Sequence, residues 1–157
     1  MNSALQPVSD AVYTLLQADQ TLVGIVGGGI WDVVPENPGY PFVWYEVGRP
    51  IDARGFGAGS LPQLDVRTHT YTVGGSMLEA FAINNRIIMA LADQLLPIDP
   101  TAWKPAGLIL SEAEVVLPDE QLRGIPVHEV VAMFRLYVES LINAPLGPEE
   151  WVAEGWR

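Results

Sequence analysis

Cysteine is absent from this chain, histidine occurs twice, and Lys and Arg together number eight against nineteen Asp and Glu. The first absence removes thiol catalysis, thiolate metal sites and disulfides at once, and it leaves the redox compartment undetermined. Two histidines, neither in a His-Glu-x-x-His arrangement, do not make a zinc site without cysteine to complete it. The few cations are scattered, and a net charge of −11 with a pI near 4.3 argues against wrapping nucleic acid, which needs Lys and Arg clustered against phosphate. Missing too is any apolar run near the roughly 18 to 20 residues of a membrane-spanning helix. Met1-Asn2-Ser3-Ala4 lacks the basic and apolar regions of an export signal, so the expectation is a soluble chain made and assembled in a cytoplasm.

Apolar side chains are what the sequence has in abundance. Hydrophobic residues make up 49% of the 157 and charged ones only 17%, a greasy balance that points to surface hidden in an assembly. The length suits one domain with a real core. That domain is expected over residues 1–142, with residues 143–157 as an extension.

The organising stretch is Asp65–Leu91. Asp65 to Val73 is dense in Thr, Val and Tyr, which fit a pleated surface, and predicts a strand. Gly74-Gly75 then leads into a helix, with Ser76-Met77-Leu78-Glu79 at capping-box spacing. Along that helix Met77, Ala80, Phe81, Ile87, Ile88, Leu91 and Leu95 define a broad apolar face, opposite a stripe of Glu79, Arg86 and Asp93. Leu78, Met89 and Ala92 widen the face beyond what one sheet needs, which suits either a contact with another subunit or a thicker core.

Upstream, Val8, Ala11, Val12, Leu15 and Leu16 recur at helical spacing behind Pro7. Asp19 is placed to cap a short second helix with Leu22, Ile25 and Val26, ended by Gly27-Gly28-Gly29. The glycine run has no Walker-type Lys-Ser/Thr and no strand before it, so it is no phosphate cradle. Phe42–Val47, apolar on both faces, predicts an interior strand. The stretch from Gly48 to Pro62, with three glycines around Phe56 and with Arg49 and Arg54 nearby, has the composition of a loop that orders on a partner or of a plain hairpin connection.

Downstream, Ile109–Val116 predicts a half-wet strand with Glu112 and Glu114 on one face and Ala113 and Val115 on the other. Pro118 to Pro126 is a polar connection, and the next strand alternates His128, Val130, Ala132, Phe134, Leu136 and Val138 against Glu129, Arg135 and Glu139. The two strands are expected to pair as an antiparallel hairpin. The end carries Trp151 and Trp156 among three Glu. Two such tryptophans have the makings of an arm that docks on a neighbour or folds back on its own subunit.

Catalytic chemistry finds little support. His69 and His128 lie within predicted strands, Ser76 lacks the second glycine of a nucleophile elbow, and the near pairs of carboxylates sit on wet faces, loops or the tail. No catalytic, cofactor-binding or metal-binding residue is assigned. A small hydrolase remains an alternative only if Glu112, Glu114 and His128 converge in a cleft. The residues singled out as partner contacts are Arg49, Arg54, Phe56, Trp151 and Trp156.

The order of features carries a resemblance. Asp10-Ala11-Val12-Tyr13 with Leu15, Val26-Gly27-Gly28-Gly29-Ile30-Trp31-Asp32, Tyr40-Pro41-Phe42-Val43, His69-Thr70-Tyr71 before the glycine-rich helix start, and the strand from His128 to Arg135 together resemble the tail completion or tail terminator proteins of long-tailed phages and related gene transfer agents. The resemblance runs from Ala11 to Glu139. Departures are Gly29, where the family often has Arg, and a longer tail after Leu141. What it implies is an α/β (α+β) subunit, a mostly antiparallel sheet packed by helices, that forms a hexameric ring on the head-proximal end of the tail tube in the virion. The ring would stop tube polymerisation and present a surface to the head completion or stopper protein, with no cofactor and no membrane. Genome DNA would pass its lumen without specific binding, since six copies carry a formal charge of 6 × −11 = −66. A stopper or tube subunit of the same virion is the alternative within this class.

Overall fold

The computed structural model describes residues 5–48, 63–74, 77–104, 107–116, 121–122, 124–138 and 141. Along them run α1 (Leu5–Ala18), α2 (Gln20–Ile25), β1 (Ile30–Trp31), β2 (Phe42–Gly48), β3 (Gln63–Val73), α3 (Leu78–Leu91), β4 (Ile109–Val116), β5 (Gln121–Leu122) and β6 (Ile125–Tyr137). The strands form one mixed, mostly antiparallel sheet in the order β1-β2-β3-β6-β4, with β5 pairing β6 off that path. Only β1 and β2 run parallel. The class is α+β, as the sequence predicts.

Period two in β3 decides the sheet's two faces. Its even-numbered residues Leu64, Val66, Thr68, Thr70 and Thr72 are buried, while the odd-numbered ones are partly or fully exposed. Register then carries the division outward: Trp44 and Val131 stand opposite His69 on the outer face, and Tyr45 and Ala132 stand opposite Thr68 on the inner one. All three helices cover the inner face, where Val8, Val12 and Leu16 of α1, Leu22 of α2, and Ile83, Ile87 and Leu91 of α3 close over Val43, Leu64, Val66, Phe134 and Leu136. The alternation expected of β6 is present, with Val130, Ala132, Phe134 and Leu136 all buried.

Asp19 caps α2 as the spacing predicts, accepting from the backbone N–H of Leu22 at 3.0 Å. It also receives both oxygens' worth of contact from Arg86 Nη2, at 2.8 and 2.9 Å, which ties α2 to α3. The guanidinium holds the Asp19 carboxyl below the usual carboxylate range, against the opposing effect of burial.

The central helix departs from its expected outline. It starts after Met77, which occupies the cap position in helical conformation and makes no side-chain cap bond; the expected capping Ser76 lies outside the described residues. It stops at Leu91 rather than running to Leu95, because Ala92 turns extended to bridge Leu108 and the Asp93 N–H donates to the Leu108 carbonyl. The buried seam is Ala80, Ile83, Asn84, Ile87 and Leu91, whereas Phe81 and Leu95 are exposed. Leu78 (75% exposed) and Met89 (65%) leave an apolar stripe on the outside of α3, which is the surplus face read from the sequence.

β4 departs as well. Every residue from 109 to 115 is exposed rather than one face of the strand. Among the described residues the helices pack mainly on β1, β2, β3 and β6, and a bulge between Leu110 and Glu112 shifts the register of β4. It does pair antiparallel with β6, as expected. Within the stretch read as a plain connection, Gln121–Leu122 pairs with Ile125–Pro126 around Gly124 (φ +80°).

Candidate functional site

Glycine builds the first part of the site. Gly28 approaches the Gly39 backbone so closely that an added Cβ would collide with the Gly39 carbonyl, and its N–H donates to Pro41 O at 2.8 Å. Gly29 takes φ +96° and lies directly under the Trp31 ring, a conformation and an approach that a side chain would prevent. The Trp31 indole N–H donates to Gly28 O at 2.7 Å, and the Trp44 indole N–H donates to Asp32 O at 3.1 Å. The glycine run considered as a phosphate cradle is a seat for Trp31.

Trp31 and Asp32 thereby face α1 across an open groove of about 490 Å³, lined by Asp10, Tyr13, Thr14, Ile30, Trp31, Asp32 and Tyr45. Tyr13 and Tyr45 pack ring to ring at 6.4 Å. Burial pushes the Tyr45 phenol up, with a hydrogen bond to Ser9 opposing it and Asp32 and Asp10 adding to it, so the ring presents a neutral hydroxyl. The groove is anionic at Asp10 and Asp32 and aromatic between them.

The outer sheet face holds the second part. His69 (side chain 13% exposed) has Nδ1 at 2.9 Å from Glu129 Oε1 and Nε2 at 3.4 Å from Glu46 Oε1, and its ring stacks on Trp44 at 4.3 Å. Arg67 stands beside Glu46 at 3.9 Å. Phe42 stacks on Tyr71 at 4.8 Å, with Tyr40 against Phe42 at 5.3 Å. Cross-strand register makes this row: Phe42, Trp44 and Glu46 stand opposite Tyr71, His69 and Arg67. The arrangement is a rigid, mixed aromatic and charged surface.

The residues named as partner contacts, Arg49, Arg54, Phe56, Trp151 and Trp156, lie outside the described residues. The hydrolase alternative required Glu112, Glu114 and His128 to converge, and the register separates them. Glu112 and Glu114 stand opposite Met133 and Val131 on the outer face, while His128 stands opposite Thr72 on the inner face. His128 is buried and its Nε2–H donates to Gly74 O at 2.6 Å, closing the turn out of β3. Among the described residues no group of three His, Asp or Glu side chains could hold a metal ion, and no helix is long and apolar enough to cross a membrane.

Sequence reasoning missed Glu46 and Glu129 as partners of His69, and missed Tyr13, Trp31 and Tyr45 as walls of one groove. The signal was partly present: His69 and Tyr71 alternate onto one strand face. Which residues of β2 and β6 stand beside them depends on register.

No family model and no curated protein matches the chain. Among solved structures, a chain of the virion of a native gene transfer agent (GTA) particle superposes with a TM-score of 0.66 at 22% identity, over 84% of this chain and 94% of that one. The two share a fold across nearly their whole lengths.

Proposed function

We propose that the chain is a structural subunit of a phage-like virion, and more specifically that it caps the head-proximal end of the tail tube as a terminator. The observation that carries this is the shared fold with a chain of a gene transfer agent virion, over 94% of that chain's length. The motif order from Asp10 to Arg135 supports the finer role. A terminator needs a head-to-tail interface that closes into a ring and two unequal ring faces, one matching the tube and one turned to the head. Unequal sheet edges suit the first need, a two-residue β1 at one side and an eight-residue β4 at the other. Two kinds of surface suit the second: the polar and aromatic outer face around His69, and the apolar stripe of Leu78, Phe81 and Met89 on α3.

In this reading six copies form the ring, the tube protein and the head completion or stopper protein are its neighbours, and DNA slides through an acidic lumen. Arg49, Arg54 and Phe56 contact a neighbouring subunit or ring, as does the arm formed by residues 143–157 through Trp151 and Trp156. No step is catalysed and no cofactor is used. Removing the protein from particle assembly tests the role: electron micrographs should show tails longer than normal and not joined to heads. Tails of normal length attached to heads would overturn it.

A further inference from the structure

The groove between α1 and β1 has two carboxylates and no cation. Asp10 accepts from the Gln6 side chain at 2.7 Å and Asp32 from the Val33 N–H at 2.8 Å, and neither pairs with Lys or Arg among the described residues. Between them stand Tyr13 (44% exposed) and Trp31 (37%), with the buried Tyr45 completing the lining. Large aromatic rings held open to solvent beside unneutralised carboxylates are complementary to one chemistry above others. A guanidinium stacks its flat face on an aromatic ring and directs its N–H donors in plane to carboxylate oxygens. The walls are rigid, since Trp31 is locked to Gly28 and Asp32 is held by Trp44, so little ordering would be lost on binding.

We propose that this groove receives an arginine side chain from a second copy of the chain, supplied by the stretch Arg49–Pro62. Charge complementarity within the sequence favours that donor. Arg67, Arg86 and Arg135 already stand beside Glu46, Asp19 and Asp65 of their own subunit. Arg49 and Arg54 share a glycine-rich stretch whose one acid is Asp52, in a chain that is otherwise strongly acidic. The inference rests on the ring reading above, because a head-to-tail interface sets the groove of one subunit against a different surface of the next.

The test measures association of the full-length chain by sedimentation velocity over a concentration series. The variant Asp10→Asn/Asp32→Asn keeps the shapes and the local hydrogen bonds of two exposed side chains, and thermal unfolding should confirm an unchanged fold. Expected is a loss of association of about tenfold or more, matched by Arg49→Gln/Arg54→Gln. All four changes together should cost no more than the worse pair, as for two halves of one contact. The reversed pair Asp32→Arg with Arg54→Asp should recover part of the loss. Unchanged association in the groove variant overturns the inference, as do additive losses. A fall in thermal stability without a change in association also overturns it, since that would mark an arginine bound within its own subunit. Wild-type chain that stays monomeric defeats the ring reading as well, whereas rings that form equally well in the groove variants defeat the groove alone.

Discussion

Thr68, Thr70 and Thr72 turn three hydroxyls into the core, where none meets a hydrogen-bond partner among the described residues. A buried hydroxyl loses its water and gains nothing in return, whereas the valine of the same shape has no such cost. Thr70→Val is therefore expected to raise the unfolding free energy by about 1 kcal/mol, read by urea denaturation. Asp19 is a second single residue with measurable weight. Its folded carboxyl releases the proton more readily than the unfolded one, whose ordinary value is 3.8. The Arg86 pair therefore contributes fully above that value, and its contribution is lost as pH falls through the lower folded value. Denaturation from pH of about 7 down to about 3 should show wild type losing stability more steeply than Asp19→Asn, with the two curves converging at the acid end.

At the scale of elements, the tight crossing of Gly28 with the 39–41 turn sets where β1 lies against β2. The Val43 N–H reaches Gly29 O at 3.0 Å only because the chain passes so close. Gly28→Ala should cost about 2 kcal/mol or more, since the obstacle is backbone rather than a movable side chain, and it should also open the groove. β4 carries a different lesson. It is a long exposed edge, and two copies pairing antiparallel about Ala113 would set Glu112 of each opposite Glu114 of the other, a like-charge repulsion that guards the edge. Replacing both glutamates by Val should raise light scattering at concentrations where wild type stays clear. Much of this level was legible in advance: the change from period two to period 3.6 across Gly74 marked β3 and α3, and Asp19 announced its own helix. The exposure of β4 was not, because alternation reports which residues share a face and says nothing of whether anything covers it.

For the whole molecule, the acidic charge and the apolar exterior act together. Exposed Leu78, Phe81, Met89 and Ile109 would be covered in the proposed assembly, while a charge of −11 per chain opposes indiscriminate clumping. The proposed ring of six should appear in native mass measurement as a discrete species at about 103 kDa, which is 6 × 17.1 kDa. An open-ended ladder of higher masses would instead mark a tube subunit.

By itself the sequence determined the class of fold, the inner faces of α1 and β6, and the poverty of reactive groups, because composition and periodicity are properties of neighbours along the chain. Only the tertiary structure decided that His69 sits between Glu46 and Glu129, that Phe81 faces outward, that Glu112 and Glu114 are a sheet's thickness from His128, and that Asp10, Trp31 and Tyr45 share one groove. Those facts depend on strand register and on where each helix ends. Register and helix length are settled by pairings between residues far apart in the sequence, such as Ala92 with Leu108, and no local pattern encodes them.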